Sequence, residues 1–108
     1  MIEQAFPLAR SPERTVEKVI QDDNLDTIHM LFNKDEGLPL HYSNSNVYMT
    51  VLHGTLTIGL NDQEDHHYPA STLLQIPYRI KMNVRNTHDD LLELIVIKAP
   101  APKNYPRS

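Results

Sequence analysis

The stretch GLPLHYSNSNVYMTVLHGTLTIGL, residues 37–60, decides the fold. It holds two runs of strand character, Asn46 to His53 and Thr55 to Leu60, rich in β-branched and apolar residues. Gly54 alone separates them, and a glycine inside a strand pattern marks a bend or bulge. Asn61-Asp62-Gln63-Glu64 then reads as a hairpin turn.

The same rhythm continues in both directions. Upstream, Thr27 to Phe32 is a strand run closed by the turn cluster Asn33-Lys34-Asp35-Glu36-Gly37. Before it, Pro12 to Asp22 is the one helix candidate, with Ser11 as cap and Pro12 at the first turn. Thr15, Val16, Val19 and Ile20 are β-branched, so this stretch is read as a strand. Downstream, the turn Pro69-Ala70-Ser71-Thr72 precedes a strand from Leu73 to Ile76, ended by Pro77. Ile80 to Val84 begins the next strand, Asn86 to Asp90 is a turn, and Leu91 to Ile97 is the most hydrophobic strand. His66, His67 and His88 fall in expected solvated turns. Many short strands with regular turns predict an all-β antiparallel sandwich or barrel. Residues 1–108 suit a single domain, with segment 1–12 and the tail 99–108 expected at its periphery. The tail holds three of the eight prolines and is expected to be extended.

Composition narrows the function. A domain of 108 residues buries roughly 65% of its unfolded surface, enough for a core without staples. There is no cysteine, which excludes disulfides, thiolate metal sites and a cysteine nucleophile. The net charge is −4 and the basic residues are scattered, against a nucleic-acid partner. No apolar run approaches the roughly 20 residues that span a bilayer, and no signal-peptide pattern is present, so a cytoplasmic location is expected. With three glycines in the chain, a phosphate-binding P-loop is excluded. In Leu91 to Ile97 both alternating faces are apolar except at Glu93, so the outer face is expected to be covered. A second subunit, making a homodimer, or the chain's own termini are the two coverings open.

Gly37, His41 and Gly54, then Pro77 and Asn86, stand at the spacing of the two signature motifs of the cupin superfamily, which this half of the chain resembles. The resemblance implies a jelly-roll barrel of the RmlC-like kind with a central pocket, and places the chain among small stand-alone cupins without an assigned activity. In metal cupins three histidines and a glutamate converge on one ion. Here only His41 stands at such a position; Ser43, Val47 (or Tyr48) and Met82 occupy the others, and Ser71 and Arg79 replace glycines of the second motif.

One imidazole, one hydroxyl and one thioether do not make a site for a hard divalent ion, so no cofactor is expected. A rebuilt metal site would need His29 or His53 beside His41. The pocket is expected to be lined by His41, Ser43, Val47, Met49, Met82 and Val84, with Asn86 at its edge and Tyr48 joining if it points inward. Its expected partner is a small, partly apolar molecule. His41 is also the candidate catalytic residue, as a general base with Tyr48 as acid, although a backbone hydrogen bond at the strand start is its simpler role. Asn86 is expected to bond backbone at a turn. Arg79, Lys81 and Arg85 form a basic stretch, read as a solvated face near Glu93 or Asp89 or as a grip for an anionic ligand. Three readings follow: a binding domain without catalytic metal, an enzyme (a metal-dependent oxygenase or isomerase, or a metal-free isomerase built on His41), and a structural dimerisation module.

Overall fold

The structure, a computed structural model, describes residues 2–104. Nine strands follow in order: β1 (Thr15–Gln21), β2 (Asp26–Asn33), β3 (His41–Tyr42), β4 (Asn46–His53), β5 (Thr55–Leu60), β6 (His66–Pro69), β7 (Thr72–Ile76), β8 (Lys81–Arg85) and β9 (Leu91–Ala99). The stretch 15–21 is a strand, as its β-branched residues required. A short 3-10 turn, Pro102–Asn104, gives part of the tail a helical turn where an extended path was expected. Ser45 Oγ donates to the Pro100 carbonyl and Ala101 is fully buried, so this part of the tail packs onto the barrel. Residues 105–108 of the tail lie outside the described residues, as does Met1. No helix is long and apolar enough to cross a membrane among the described residues.

The strands form two antiparallel sheets, β1-β2-β9-β4-β7 and β3-β8-β5-β6. Strand alternation sends Ile28, Met30 and Phe32 inward from β2, Val47, Met49 and Val51 from β4, and Leu92, Leu94 and Val96 from β9. Leu56, Ile58, Met82 and Val84 meet them from the second sheet. Phe32, Leu56, Leu92 and Leu94 lose all solvent exposure, and each such side chain contributes about 1.5–3 kcal/mol of hydrophobic stabilisation.

Two glycines hold the corners. Gly54, between β4 and β5, has φ +83°, and a Cβ there would lie 2.3 Å from the Leu91 carbonyl oxygen. A Cβ on Gly37 would lie 2.2 Å from the Val84 carbonyl oxygen. Both positions admit only glycine without backbone movement.

The outer face of the five-stranded sheet is covered in part by the chain's own N-terminal segment. Residues 7–11 run over Leu31, Leu91 and Glu93, enclosing a cleft of about 560 Å³. The Ala9 amide donates to Glu17 Oε1 at 2.8 Å.

Candidate functional site

A cavity of about 290 Å³ remains between the sheets. The inner faces of β1, β2, β4 and β9 supply Val16, Ile28, Met30, Val47, Met49 and Val96; Leu38 and Pro39 close it from the preceding loop, and Met82 from β8. Met49 and Met82 wall this space rather than fill it. The polar lining residues among those described are Lys18, His41 and Lys98, all nitrogen groups, with no carboxylate or hydroxyl beside them. The His41 Nδ1 lies 2.9 Å from the Pro39 carbonyl, so the neutral ring carries its proton there and leaves Nε2 as an acceptor. This is the backbone bond at the strand start that the sequence favoured.

Of the residues expected to line the pocket, His41, Val47, Met49 and Met82 do so. Four others do not. Ser43 is buried, but its Oγ donates to the Pro77 carbonyl (2.8 Å) and accepts from the Ile80 amide (2.9 Å), tying the end of β3 to the loop before β8. Tyr48 alternates with inward Val47 and Met49 and so faces outward, which removes it as an acid partner for His41. Val84 is packed in the core away from the cavity. Asn86 has the structural role expected of it: Nδ2 donates to the carbonyls of Phe32 (3.0 Å) and Asp89 (2.9 Å), and Oδ1 accepts from the amides of His88 and Asp89. Sequence reasoning missed the two lysines. The apolar series Leu92, Leu94, Val96 continues on the same face to Lys98, and Val16 continues to Lys18, a signal available in the alternation alone.

Comparison with known proteins fixes the family. An uncharacterized protein of Methanocaldococcus jannaschii is 36% identical over 104 residues, covering 95% of this chain and 90% of its own length. The crystal structure of an RmlC-like cupin family protein with a double-stranded β-helix fold, from the same organism, superposes with a TM-score of 0.91 over 95% of each chain at 36% identity. This chain belongs to the RmlC-like cupin family. An RmlC-like cupin of Desulfovibrio desulfuricans (TM-score 0.76, 20% identity, 92% of this chain and 98% of that one) shares the cupin fold. So does a cupin superfamily protein of Desulfitobacterium hafniense (TM-score 0.73, 15% identity, 86% and 83%). No family model matches the chain.

The cupin fold invites a metal at the barrel centre, and the side chains present do not fit one. Among the described residues His41 has no second hard ligand beside it: Ser43 Oγ is saturated by backbone, Val47 has no donor atom, and the Met82 thioether opposite His41 is a soft donor. His29 does not rebuild the site, because it lies on the opposite face of β2 from the inward Ile28 and Met30. His53 does not either, being exposed at the end of β4. Among the described residues no group of three or more histidine, aspartate or glutamate side chains is placed to hold an ion. The second-motif glycine positions keep their backbone without their residue: Ser71 has φ 71° and Arg79 φ 66°, both left-handed.

The buried histidine of this cupin has a different task. His29 is fully buried, with Nδ1 2.8 Å from Glu17 Oε1 and Nε2 2.7 Å from Glu93 Oε2. Both ring nitrogens are thereby bonded, one to β1 and one to β9. The backbone bond from Ala9, with the His29 bond second, holds the Glu17 carboxyl below its ordinary value. His66 and His67, expected in a turn, lie in β6, and pairing with β5 is what orders them. His67 and His88 meet edge to face at 4.6 Å between centroids, and the Thr57 hydroxyl lies 2.9 Å from His67 Nδ1 and 2.6 Å from the Thr87 hydroxyl. Arg85 pairs with Asp65 at 2.6 Å, not with Glu93 or Asp89.

At the cavity mouth, burial lowers the Lys98 ammonium from the ordinary lysine value, while the Asp26 carboxylate opposes this and the Lys18 charge reinforces it. Lys18 and Lys98 also border a more polar groove of about 430 Å³ that continues outward past Asp22 and Asp26.

Proposed function

We propose that this cupin is a binding domain for a small, partly apolar molecule seated between its sheets, and that it works without a catalytic metal. The observation that carries this reading is the cavity of about 290 Å³ with an aliphatic and thioether wall and, among the described residues, three polar side chains. A water occupies about 30 Å³ of liquid, so the space is well beyond that of trapped solvent. It lies at the small end of ligand pockets, which run from about 300 Å³ upward. We place the protein in the cytoplasm, in keeping with the absence of cysteine, and expect a homodimer, for which exposed Leu52 and Leu73 on the outer side of β4 and β7 offer an apolar contact.

The methionines make the test direct. Met30, Met49 and Met82 all line the cavity, so protein labelled at its methionine methyl carbons reports occupancy by NMR. Small neutral fragments are expected to shift these three methyls together, and Val47→Phe, which fills the cavity, to remove the response. If no fragment moves them, the barrel is a filled structural or dimerisation module. The enzymatic alternative rests on His41, whose Nε2 is free to accept a proton. His41→Ala with unchanged ligand affinity and turnover removes that residue from any mechanism.

A further inference from the structure

We infer that the molecule bound in this pocket is a small monocarboxylate, its apolar body against the methionines and its carboxylate between Lys18 and Lys98. The inference rests on the reading of the cavity as a binding site and names the chemistry of its occupant.

The argument begins with strand alternation. Val16 and Lys18 share the inner face of β1, as Val96 and Lys98 share that of β9. Register places Lys18 opposite Ile28, Ile28 opposite Val96, and Lys98 opposite Asp26. The two lysines therefore sit on strands two positions apart in the sheet, roughly 10 Å across, at the same end of the cavity. Both belong at once to the apolar cavity and to the polar groove outside it. That is where the head of an amphipathic ligand would lie.

Among the described residues neither ammonium closes an ion pair. The ion pairs among them are His29 with Glu17 and Glu93, Arg85 with Asp65, and Lys103 with Asp23. Lys18 and Lys98 enter none of them, in a protein of net charge −4. The acids facing them are few. Asp22 already accepts the amides of Asn24 and Leu25. Asp26 faces Lys98 across the strand pair without closing to an ion pair. In the cavity lining the two ammonium groups meet no carboxylate among the described residues, while Asp22 and Asp26 border the groove just outside, so a single negative charge between the lysines is matched and a second one, as on a phosphate dianion, faces those carboxylates. A cationic head would meet two like charges, and such juxtaposition is strongly unfavourable. His41 adds a third nitrogen group and no negative charge.

The test uses the full chain with labelled methionine methyls and four probes that share a six-carbon tail: hexanoate, hexanamide, hexylamine and hexyl phosphate. Hexanoate is expected to shift Met30, Met49 and Met82 and to bind on the order of tenfold more tightly than hexanamide, because charge-assisted bonds are about twice as strong as neutral ones. The double variant Lys18→Gln/Lys98→Gln, checked for folding by its own spectrum, is expected to bring hexanoate to within about twofold of hexanamide. Equal binding of hexanoate and hexanamide by the unaltered protein overturns the carboxylate and leaves the apolar pocket standing. Tighter binding of hexylamine or of hexyl phosphate overturns the monoanion. Absence of any methyl shift with all four overturns the pocket itself.

Discussion

The Nε2 of His29 lies 2.7 Å from Glu93, a residue 64 positions away, while its Nδ1 lies 2.8 Å from Glu17. The buried His29 ring thus ties β1, β2 and β9 together on the face away from the cavity. Removing one partner of such an arrangement leaves charge without compensation, and for fully buried pairs this costs 3–5 kcal/mol. Here the carboxylates keep 32% and 27% of their exposure, so solvent screens part of the loss. His29→Ala is expected to lower the free energy of unfolding by about 2 kcal/mol, read from urea denaturation. A change below about 0.5 kcal/mol would mean that water already screens the clamp completely.

Glu17 makes the clamp sensitive to acid. Its carboxyl is held below the ordinary glutamate value of 4.5, so the folded state favours the ionised form. The corresponding stability is fully present above that value and is lost as pH falls through the lower, folded-state value. Glu17→Gln is expected to unfold with a flatter acid limb below pH 4.5 than the unaltered protein. It should also speed amide exchange at Ala9, whose N–H bonds this carboxylate. Parallel acid limbs in the two proteins would count against the assignment.

Ser71 occupies a left-handed backbone position, φ 71°, on an exposed turn. For a residue with a Cβ this conformation costs roughly 1–2 kcal/mol, against roughly 0.5–1 kcal/mol of extra chain entropy lost by glycine. Ser71→Gly is therefore expected to stabilise the protein by about 0.5 kcal/mol, and Ser71→Val, β-branched, to destabilise it. Thermal unfolding of the three proteins gives the order. A less stable glycine variant would mean that the serine side chain compensates for its backbone.

Asn86 makes four side-chain hydrogen bonds while fully buried, to Phe32, Asp89 (twice) and His88. Asn86→Ala leaves those backbone groups without partners and is expected to cost about 2–3 kcal/mol. Asn86→Asp, which keeps the acceptor and loses both N–H donors, should be at least as damaging because a charge is then buried. If calorimetry finds either variant close to the unaltered protein, water enters the site.

The architecture was legible from residues 37–60 outward because turns, β-branched runs and the chain's three glycines fall at short spacing there. The pocket was legible where a motif position coincided with an inward strand position, as at His41, Val47 and Met82, and at Met49 two residues on from Val47 along the same face. Ser43 and Asn86 carry polar side chains at motif positions, and nothing local distinguishes a pocket residue from one that satisfies backbone a strand away. Tyr48 needed a settled strand phase. The strand β6 was hidden because His66, His67, Tyr68 and Pro69 have little apolar alternation, and their order comes from pairing with β5. The His29 clamp joins three strands, and no local pattern announces such a contact.

The position of β9 has a consequence for the order in which the chain acquires structure. It is the last strand in sequence of those described, yet it lies at the centre of its sheet, bonded to β2 on one side and to β4 on the other, which are not paired with each other. While the chain is being synthesised, β1 and β2 can form one hairpin and β4 can wait beside β7, but these halves have no common edge until Leu91–Ala99 leaves the ribosome. Assembly of the sheet must then be a late event that closes long loops at once, the kind of topology that folds slowly. A nascent chain stalled before residue 91 would expose the open edges of β2 and β4, and its need for chaperone protection should fall sharply once β9 is inserted between them.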